Sequence, residues 1–283
     1  MAGKTCIVTG ANAGIGKVTA LALAEKGAEV LLVCRNQAKG ERARQEIAQS
    51  TGNSQLTVYR CDFALPQSIR DCTAKILAAH PKIHVLVNNA GAVFAEQQFT
   101  DQDIEMTFAV NHLGYFHFTH LLLDRLKASA PARIVIVSSA SHYKGKIDFN
   151  DLHFRKRKYH IMRAYEQSKL ANVLYSYELA RHLEGSGVTV NALHPGVVRT
   201  NIGNKSGKWV FAMLWTMLKP FMINTEQGAA TSVYLAASPE VEGVSGKFFA
   251  KSKQKRSSEL SYVRADAKRL WEISLEMIEA GRA

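Results

Sequence analysis

The chain has 283 residues, 47% of them hydrophobic, and 36 basic against 24 acidic side chains, for a net charge of +12. That is enough apolar material for a substantial buried core, and no low-complexity tract or repeat interrupts it. The longest apolar stretch, residues 209–223, is broken by Lys219 and Pro220 and falls short of the ~20 residues that a membrane-spanning helix needs. Cys6, Cys34, Cys61 and Cys72 show no C-x-x-C spacing, so they read as small apolar filling in a reducing compartment, with no metal site and no disulfide framework.

Taken in order, strand and helix patterns alternate. Residues 5–9 form an apolar run that ends in a glycine turn, and residues 15–26 are helical, closed by Gly27. Strand 29–34 precedes helix 37–49, and strand 56–61 precedes helix 67–79, which Pro81 ends. Val85-Leu86-Val87 leads into Asn88-Asn89-Ala90-Gly91, and a long helix is predicted from Asp101 to about Lys127. Strand 133–137 reaches Ser138-Ser139, helix 164–183 follows, and strand 187–193 reaches His194-Pro195-Gly196. Helix 225–237, strand 245–249 and helix 258–278 complete the chain. Continuously apolar strands separated by amphipathic helices predict an α/β fold with one parallel sheet covered on both faces. The order is that of a doubly wound, Rossmann-type sheet of about seven strands, which binds ligands at the strands' carboxyl ends. We expect a single domain over residues 1–283, with an insertion at 140–163 and a lid segment at 203–224.

The motifs lie at those strand ends. Thr9-Gly10-Ala11-Asn12-Ala13-Gly14-Ile15-Gly16 bridges the first strand and helix. Glycines there let the backbone approach a pyrophosphate, which the free N–H groups of the helix start attract. The second strand ends in Cys34-Arg35-Asn36, without the carboxylate that NAD binders place on the ribose. Arg35, assisted by Lys39, can instead hold a 2′-phosphate, which selects NADP(H). Far downstream, Tyr165 and Lys169 share a helix face. A lysine beside a phenol lowers the tyrosine pKa, so the pair predicts proton transfer coupled to hydride transfer.

With these residues in hand, the chain resembles the short-chain dehydrogenase/reductase superfamily over its whole length. The resemblance rests on Thr9-Gly10-x-x-x-Gly14-Ile15-Gly16, Asp62, Asn88-Asn89-Ala90-Gly91, Asn111, Ser139, Tyr165-x-x-x-Lys169 and Pro195-Gly196. It is similar in particular to the retinol dehydrogenase branch, through Val110-Asn111-His112-Leu113-Gly114, Ser168-Lys169-Leu170-Ala171-Asn172 and His194-Pro195-Gly196-Val197-Val198-Arg199. The 26 residues from Ser139 to Tyr165 exceed the superfamily's usual spacing, and the extra segment is similar to an insertion of that branch.

The resemblance implies a catalytic set of Asn111, Ser139, Tyr165 and Lys169. It assigns the substrate oxygen to Ser139, ahead of Ser138 and Ser141. Lys169 would also bind the nicotinamide ribose, and Asn111 would hold a water that relays protons to Lys169. For the cofactor it implies Gly10, Asn12, Gly14, Ile15, Gly16, Arg35, Asn36, Lys39, Asp62, Phe63, Asn89, Ala90, Gly91, Tyr165, Lys169, Pro195, Gly196, Val198 and Thr200. Trp209, Met213 and Trp215, in a segment rich in methionine and aromatics, suit a pocket for a bulky apolar substrate.

The expected activity is NADP-dependent interconversion of a lipophilic aldehyde or ketone and its alcohol. The alternatives are reduction of a carbon–carbon double bond on the same fold, or a cofactor-binding sensor without turnover. Enzymes of the branch carry an N-terminal membrane anchor, whereas here a strand already begins near Lys4, so a cytoplasmic chain is expected. Two basic clusters, at residues 144–163 and 247–256, read first as solvated faces, with peripheral contact to an anionic membrane as the other option. No motif of a nucleic-acid module accompanies them. His142, His153 and His160 in the insertion read as surface residues, and a homodimer is left open.

Overall fold

The computed structural model describes residues 1–196 and 224–280. Eight strands form one sheet in the order β3-β2-β1-β4-β5-β6-β7-β8. They are β1 (Thr5–Thr9), β2 (Glu29–Cys34), β3 (Leu56–Arg60), β4 (Val85–Asn88), β5 (Ala132–Val137), β6 (Val188–His194), β7 (Lys247–Ala250) and β8 (Lys253–Lys255). All adjacent pairs are parallel except β7 and β8. The strand order reverses between β1 and β4, and a doubly wound sheet opens its ligand crevice at that point.

The alternation of side chains along each strand divides the core into two layers. Ile7, Leu31, Leu86, Ile134 and Val190 face one way. They are covered by α3 (Pro66–Ala79), α5 (Gly114–Ala128), α6 (Ile161–His182) and the C-terminal helix, Arg264–Ala280. Cys6, Val8, Val30, Val87 and Val135 face the other way. There α1 (Gly14–Glu25), α2 (Gln37–Thr51) and helix Thr225–Ala237 cover them. All four cysteines are buried, as their reading as apolar filling predicts.

Three predicted elements differ from what is found. The long helix begins not at Asp101 but at α4 (Met106–Phe108), passes through a π-helical turn, Ala109–Leu113, and continues as α5. Residues before it form a tight turn instead: the Ile104 carbonyl accepts the Thr100 N–H, and Asp103 takes a positive φ of 62°. The fully buried Glu105 carboxylate then accepts the N–H groups of Thr107 and Phe108, each at 2.8 Å, and caps the helix. The last predicted strand lies two residues further on, as β7, and an unpredicted antiparallel strand, β8, covers its edge. Finally, the predicted helix from Ser258 is a 3-10 turn, Glu259–Tyr262, followed by the helix proper.

The C-terminal helix is held to the layer beneath by an aromatic group. Phe116 stands 5.0 Å from Trp271 and 5.3 Å from Tyr175, centroid to centroid. Phe116 is fully buried, so Phe116→Ala is expected to cost about 3–5 kcal/mol in urea unfolding. A loss within experimental error would show that this group does not hold the helix in place.

Candidate active site

The glycine turn is built for close backbone approach. Gly10 and Gly14 have positive φ, 67° and 55°. A Cβ on Gly10 would stand 2.9 Å from Ala90 Cα, and one on Gly16 only 2.4 Å from the Gly10 carbonyl oxygen. The start of α1 has no side-chain cap, so its first N–H groups are left for an anion. Asn12 and Ile15 flank the turn half-buried, while Arg35 and Lys39 are exposed just beyond β2. This cradle fits the phosphates of a dinucleotide.

Thr9, which sequence reasoning treated only as part of the glycine motif, ties the turn to β4. Its buried hydroxyl accepts the N–H groups of Asn89 (2.8 Å) and Ala90 (2.9 Å), and Asn89 Nδ2 donates to the Thr9 carbonyl at 2.8 Å. Tyr115, also unforeseen, donates from its hydroxyl to the Ala90 carbonyl. It lies four residues after Asn111, on the same helix face, and that spacing was the available signal.

Two predicted cofactor residues turn their side chains elsewhere. The Asn36 amide oxygen accepts the Lys39 N–H at 2.9 Å and caps α2. Phe63 is buried, its ring packed against Phe118 and Tyr115. Asp62 is half-buried and accepts the Ala64 N–H through Oδ1 at 3.0 Å. Pro195 and Gly196 follow β6, with Gly196 at φ 94°. Val198, Thr200, Trp209, Met213, Trp215 and all but the last residue of the 203–224 segment lie outside the described residues.

The structure brings Asn111, Ser139, Tyr165 and Lys169 together. Asn111, in the π-helical turn, accepts the Ala92 N–H through Oδ1 (2.8 Å). Its Nδ2 donates to the Ala92 carbonyl (2.9 Å) and to Ser168 Oγ (3.1 Å). A side chain at Gly91 would come within 3.5 Å of Asn111 Oδ1 and 3.7 Å of Lys169 Nζ. The two serines after β5 separate by direction. Ser138 is buried and donates to the Lys169 carbonyl at 2.7 Å, whereas Ser139 is half-exposed and hydrogen-bonds the Tyr165 hydroxyl.

Lys169 stands beside Tyr165 as expected, but the expected lowering of the Tyr165 pKa is not found. Its Nζ lies 5.6 Å from the centre of the Tyr165 ring and donates to the Val137 carbonyl at 3.2 Å, not to the phenol oxygen. Burial therefore raises the Tyr165 pKa, and the Ser139 hydrogen bond acts against that rise. The same burial pushes Lys169 down from 10.5 to about 8.

The histidines of the insertion also depart from expectation. His142 is fully buried, His153 is half-buried with Nδ1 accepting the Glu105 N–H at 3.4 Å, and His160 alone is exposed, as the cap of α6. The basic run after them is partly spent inside the insertion. The Asp151 carboxylate accepts the N–H groups of Arg155, Lys156 and Arg157, and the Arg155 guanidinium lies 3.6 Å over the Phe99 ring.

The short chain dehydrogenase family profile matches residues 4–210. With the doubly wound sheet, this match makes the chain a member of the short-chain dehydrogenase family of oxidoreductases. Within the family it falls in the retinol dehydrogenase branch. It is 46% identical to retinol dehydrogenase 13 of Homo sapiens over 280 residues, covering 98% of this chain and 85% of that protein. It is 45% identical to retinol dehydrogenase 12 of Mus musculus over 276 residues, covering 98% and 86%. Among solved structures it is similar to an uncharacterised protein from Mycobacterium Paratuberculosis, with a TM-score of 0.79 and 31% identity over 98% of this chain and 94% of that one.

A buried lysine has a stability signature. Lys169 holds its proton less tightly folded (about 8) than unfolded (10.5), so between those pH values the folded chain binds fewer protons. Its contribution to stability therefore rises with pH across that window. In the cofactor-free protein, Lys169→Met is expected to increase the unfolding free energy at pH 7, by at most about 3 kcal/mol. The gain should shrink as the pH approaches 10.5. A difference that stays constant over that range would contradict a buried ammonium.

Proposed function

We propose that the protein is an NADP-dependent oxidoreductase that interconverts lipophilic, retinal-like aldehydes or ketones and their alcohols, with Tyr165 as general acid and base. The observation that carries this reading is the convergence of Ser139, Tyr165, Lys169 and Asn111 at the carboxyl ends of the strands, with Lys169 Nζ 5.6 Å from the Tyr165 ring centre and Asn111 Nδ2 bonded to Ser168 on the same helix as Tyr165. Two neutral hydroxyls side by side are what a carbonyl oxygen needs as negative charge grows on it. The names of the relatives support a retinoid-like substrate.

The glycine turn, Arg35 with Lys39, Asp62 and the Asn89-Ala90-Gly91 backbone would hold the cofactor. Bound NADPH would supply a hydride to the carbonyl carbon. Ser139 donates a hydrogen bond to the carbonyl oxygen and orients it. Tyr165 transfers its proton to that oxygen and, in the alcohol-oxidising direction, takes it back. Lys169, held 5.6 Å from the Tyr165 ring centre, favours the phenolate that results. Because the Asn111 side chain is engaged with Ala92 and Ser168, a water relaying protons to Lys169 would rest on the Asn111 backbone carbonyl.

Peripheral contact with a lipid surface belongs to the same reading. Tyr143, Leu260, Tyr262 and Val263 are exposed, and Arg256 accepts the Tyr143 hydroxyl on its carbonyl and lies over the Tyr262 ring.

NADPH consumption with a panel of apolar aldehydes tests the reading. Wild type should turn over, and Tyr165→Phe should lose at least ~100-fold in kcat while still binding NADPH. Full activity in that variant, or no wild-type turnover with NADPH bound, would overturn it. For the cofactor, Arg35→Asp should weaken NADPH binding by about 10- to 100-fold, as loss of a charge-assisted contact implies, and leave NADH use intact. An unchanged nucleotide preference would remove Arg35 from the site.

A further inference from the structure

Three residues after Ser139, in the 3-10 turn Ala140–Lys144, stands a histidine with no route to solvent. The His142 ring is packed between Tyr143 and Phe248, with centroids at 4.0 and 4.7 Å. Its Nδ1 lies 2.6 Å from the Ser139 carbonyl oxygen, and its Nε2 lies 3.2 Å from the Ser258 backbone nitrogen, whose N–H points at it. A carbonyl can only accept and an amide N–H can only donate. The two bonds therefore fix the tautomer: Nδ1 carries the proton and Nε2 offers the lone pair. Both ring nitrogens are spent, so His142 has nothing left to give a substrate.

We propose that His142 is a positioning residue for Ser139, clamping the Ser139 peptide to the C-terminal segment so that the Ser139 hydroxyl faces Tyr165. Ser139 is extended (φ −154°, ψ 158°), and its hydroxyl accepts the Ser141 N–H at 3.1 Å, which leaves its own proton for an oxygen in the crevice. The far side of the clamp is itself anchored. Ser257 Oγ lies 2.7 Å from the Tyr177 hydroxyl and 2.6 Å from Ser261 Oγ, and the Tyr143 hydroxyl donates to the Arg256 carbonyl at 2.7 Å. Burial, reinforced by His194 from β6, pushes the His142 pKa to about 4, so the ring stays neutral and the Ser258 bond survives at pH 7. A protonated Nε2 would face the Ser258 N–H donor to donor.

The clamp rests on the carbonyl-reductase reading above, and three substitutions separate its two bonds. His142→Asn places an amide nitrogen near Nδ1 and keeps the donor to Ser139. His142→Gln reaches toward Nε2 and keeps an acceptor for Ser258. His142→Phe keeps the ring packing and loses both. Because the clamp needs both bonds, kcat for the best aldehyde should fall by about 10- to 100-fold in all three, with the NADPH dissociation constant unchanged. Wild-type kcat in His142→Asn or His142→Gln, each of which has lost one of the two bonds, or a loss of NADPH binding in step with kcat, would overturn the proposal.

A second readout does not need turnover. At pH 7 the imidazole ¹⁵N shifts of wild type should show a protonated Nδ1 and an unprotonated Nε2. The opposite tautomer or a charged ring would overturn the clamp. Wild type inactive on every aldehyde would instead fault the functional reading, with the ring nitrogens still testing the clamp.

Discussion

The rest of the site depends on the paired hydrogen bonds between the Asn111 amide and the Ala92 backbone. Together with the bond to Ser168, they join three separate pieces of chain: the loop after β4, the π-helical turn and α6. The pairing imitates a strand neighbour for a loop that has none. Asn111 is fully buried, so an unmet amide there would carry its whole desolvation penalty, and the geometry is correspondingly fixed. The wider π-helical turn carries this residue, which fits the tendency of such turns to appear where a helix must aim one side chain. Lys169 is seated against the same junction, one turn along α6 from Tyr165.

The sheet beneath explains why polar groups gather at one edge. Along β1, β2, β4 and β5 nearly every side chain is buried on one face or the other, so charge has nowhere to go except the strand ends. There the backbone itself supplies most of the partners. Thr9 binds two amides of the β4 loop, Ser138 binds the Lys169 carbonyl, and Lys169 binds the Val137 carbonyl. Those bonds cross between β1 and β4 and between β5 and α6, so the crevice is a property of the sheet order as much as of any one motif.

Much of this was legible because its causes are local. Continuously apolar runs placed seven of the strands, and steric demand at Gly10, Gly14 and Gly16 marked the turn. What failed had distant causes. Nothing in Asp101 to Glu105 announces a left-handed Asp103 or a carboxylate that buries itself as a helix cap. The strand Lys253–Lys255 is fully exposed and exists because β7 offers it an edge. His142 reads as a polar surface residue until Phe248, more than a hundred residues later, closes over it. At the site, positions were readable and directions were not. The sequence placed Asn36 and Phe63 at the crevice, but helix capping and core packing took their side chains. Lys169 was found by its spacing from Tyr165, yet its ammonium answers to a carbonyl of β5 rather than to the phenol.

The strand β8 sets a limit on how copies of this chain can meet. Lys251 and Ser252, both at positive φ, turn the chain back on itself so that Lys253, Gln254 and Lys255 line the border of the sheet. A second molecule adding its own β8 alongside would bring lysines against lysines, with no apolar area to offset the repulsion. Like charge therefore works against continuing the sheet at this border and shields its unpaired backbone from fibrous stacking.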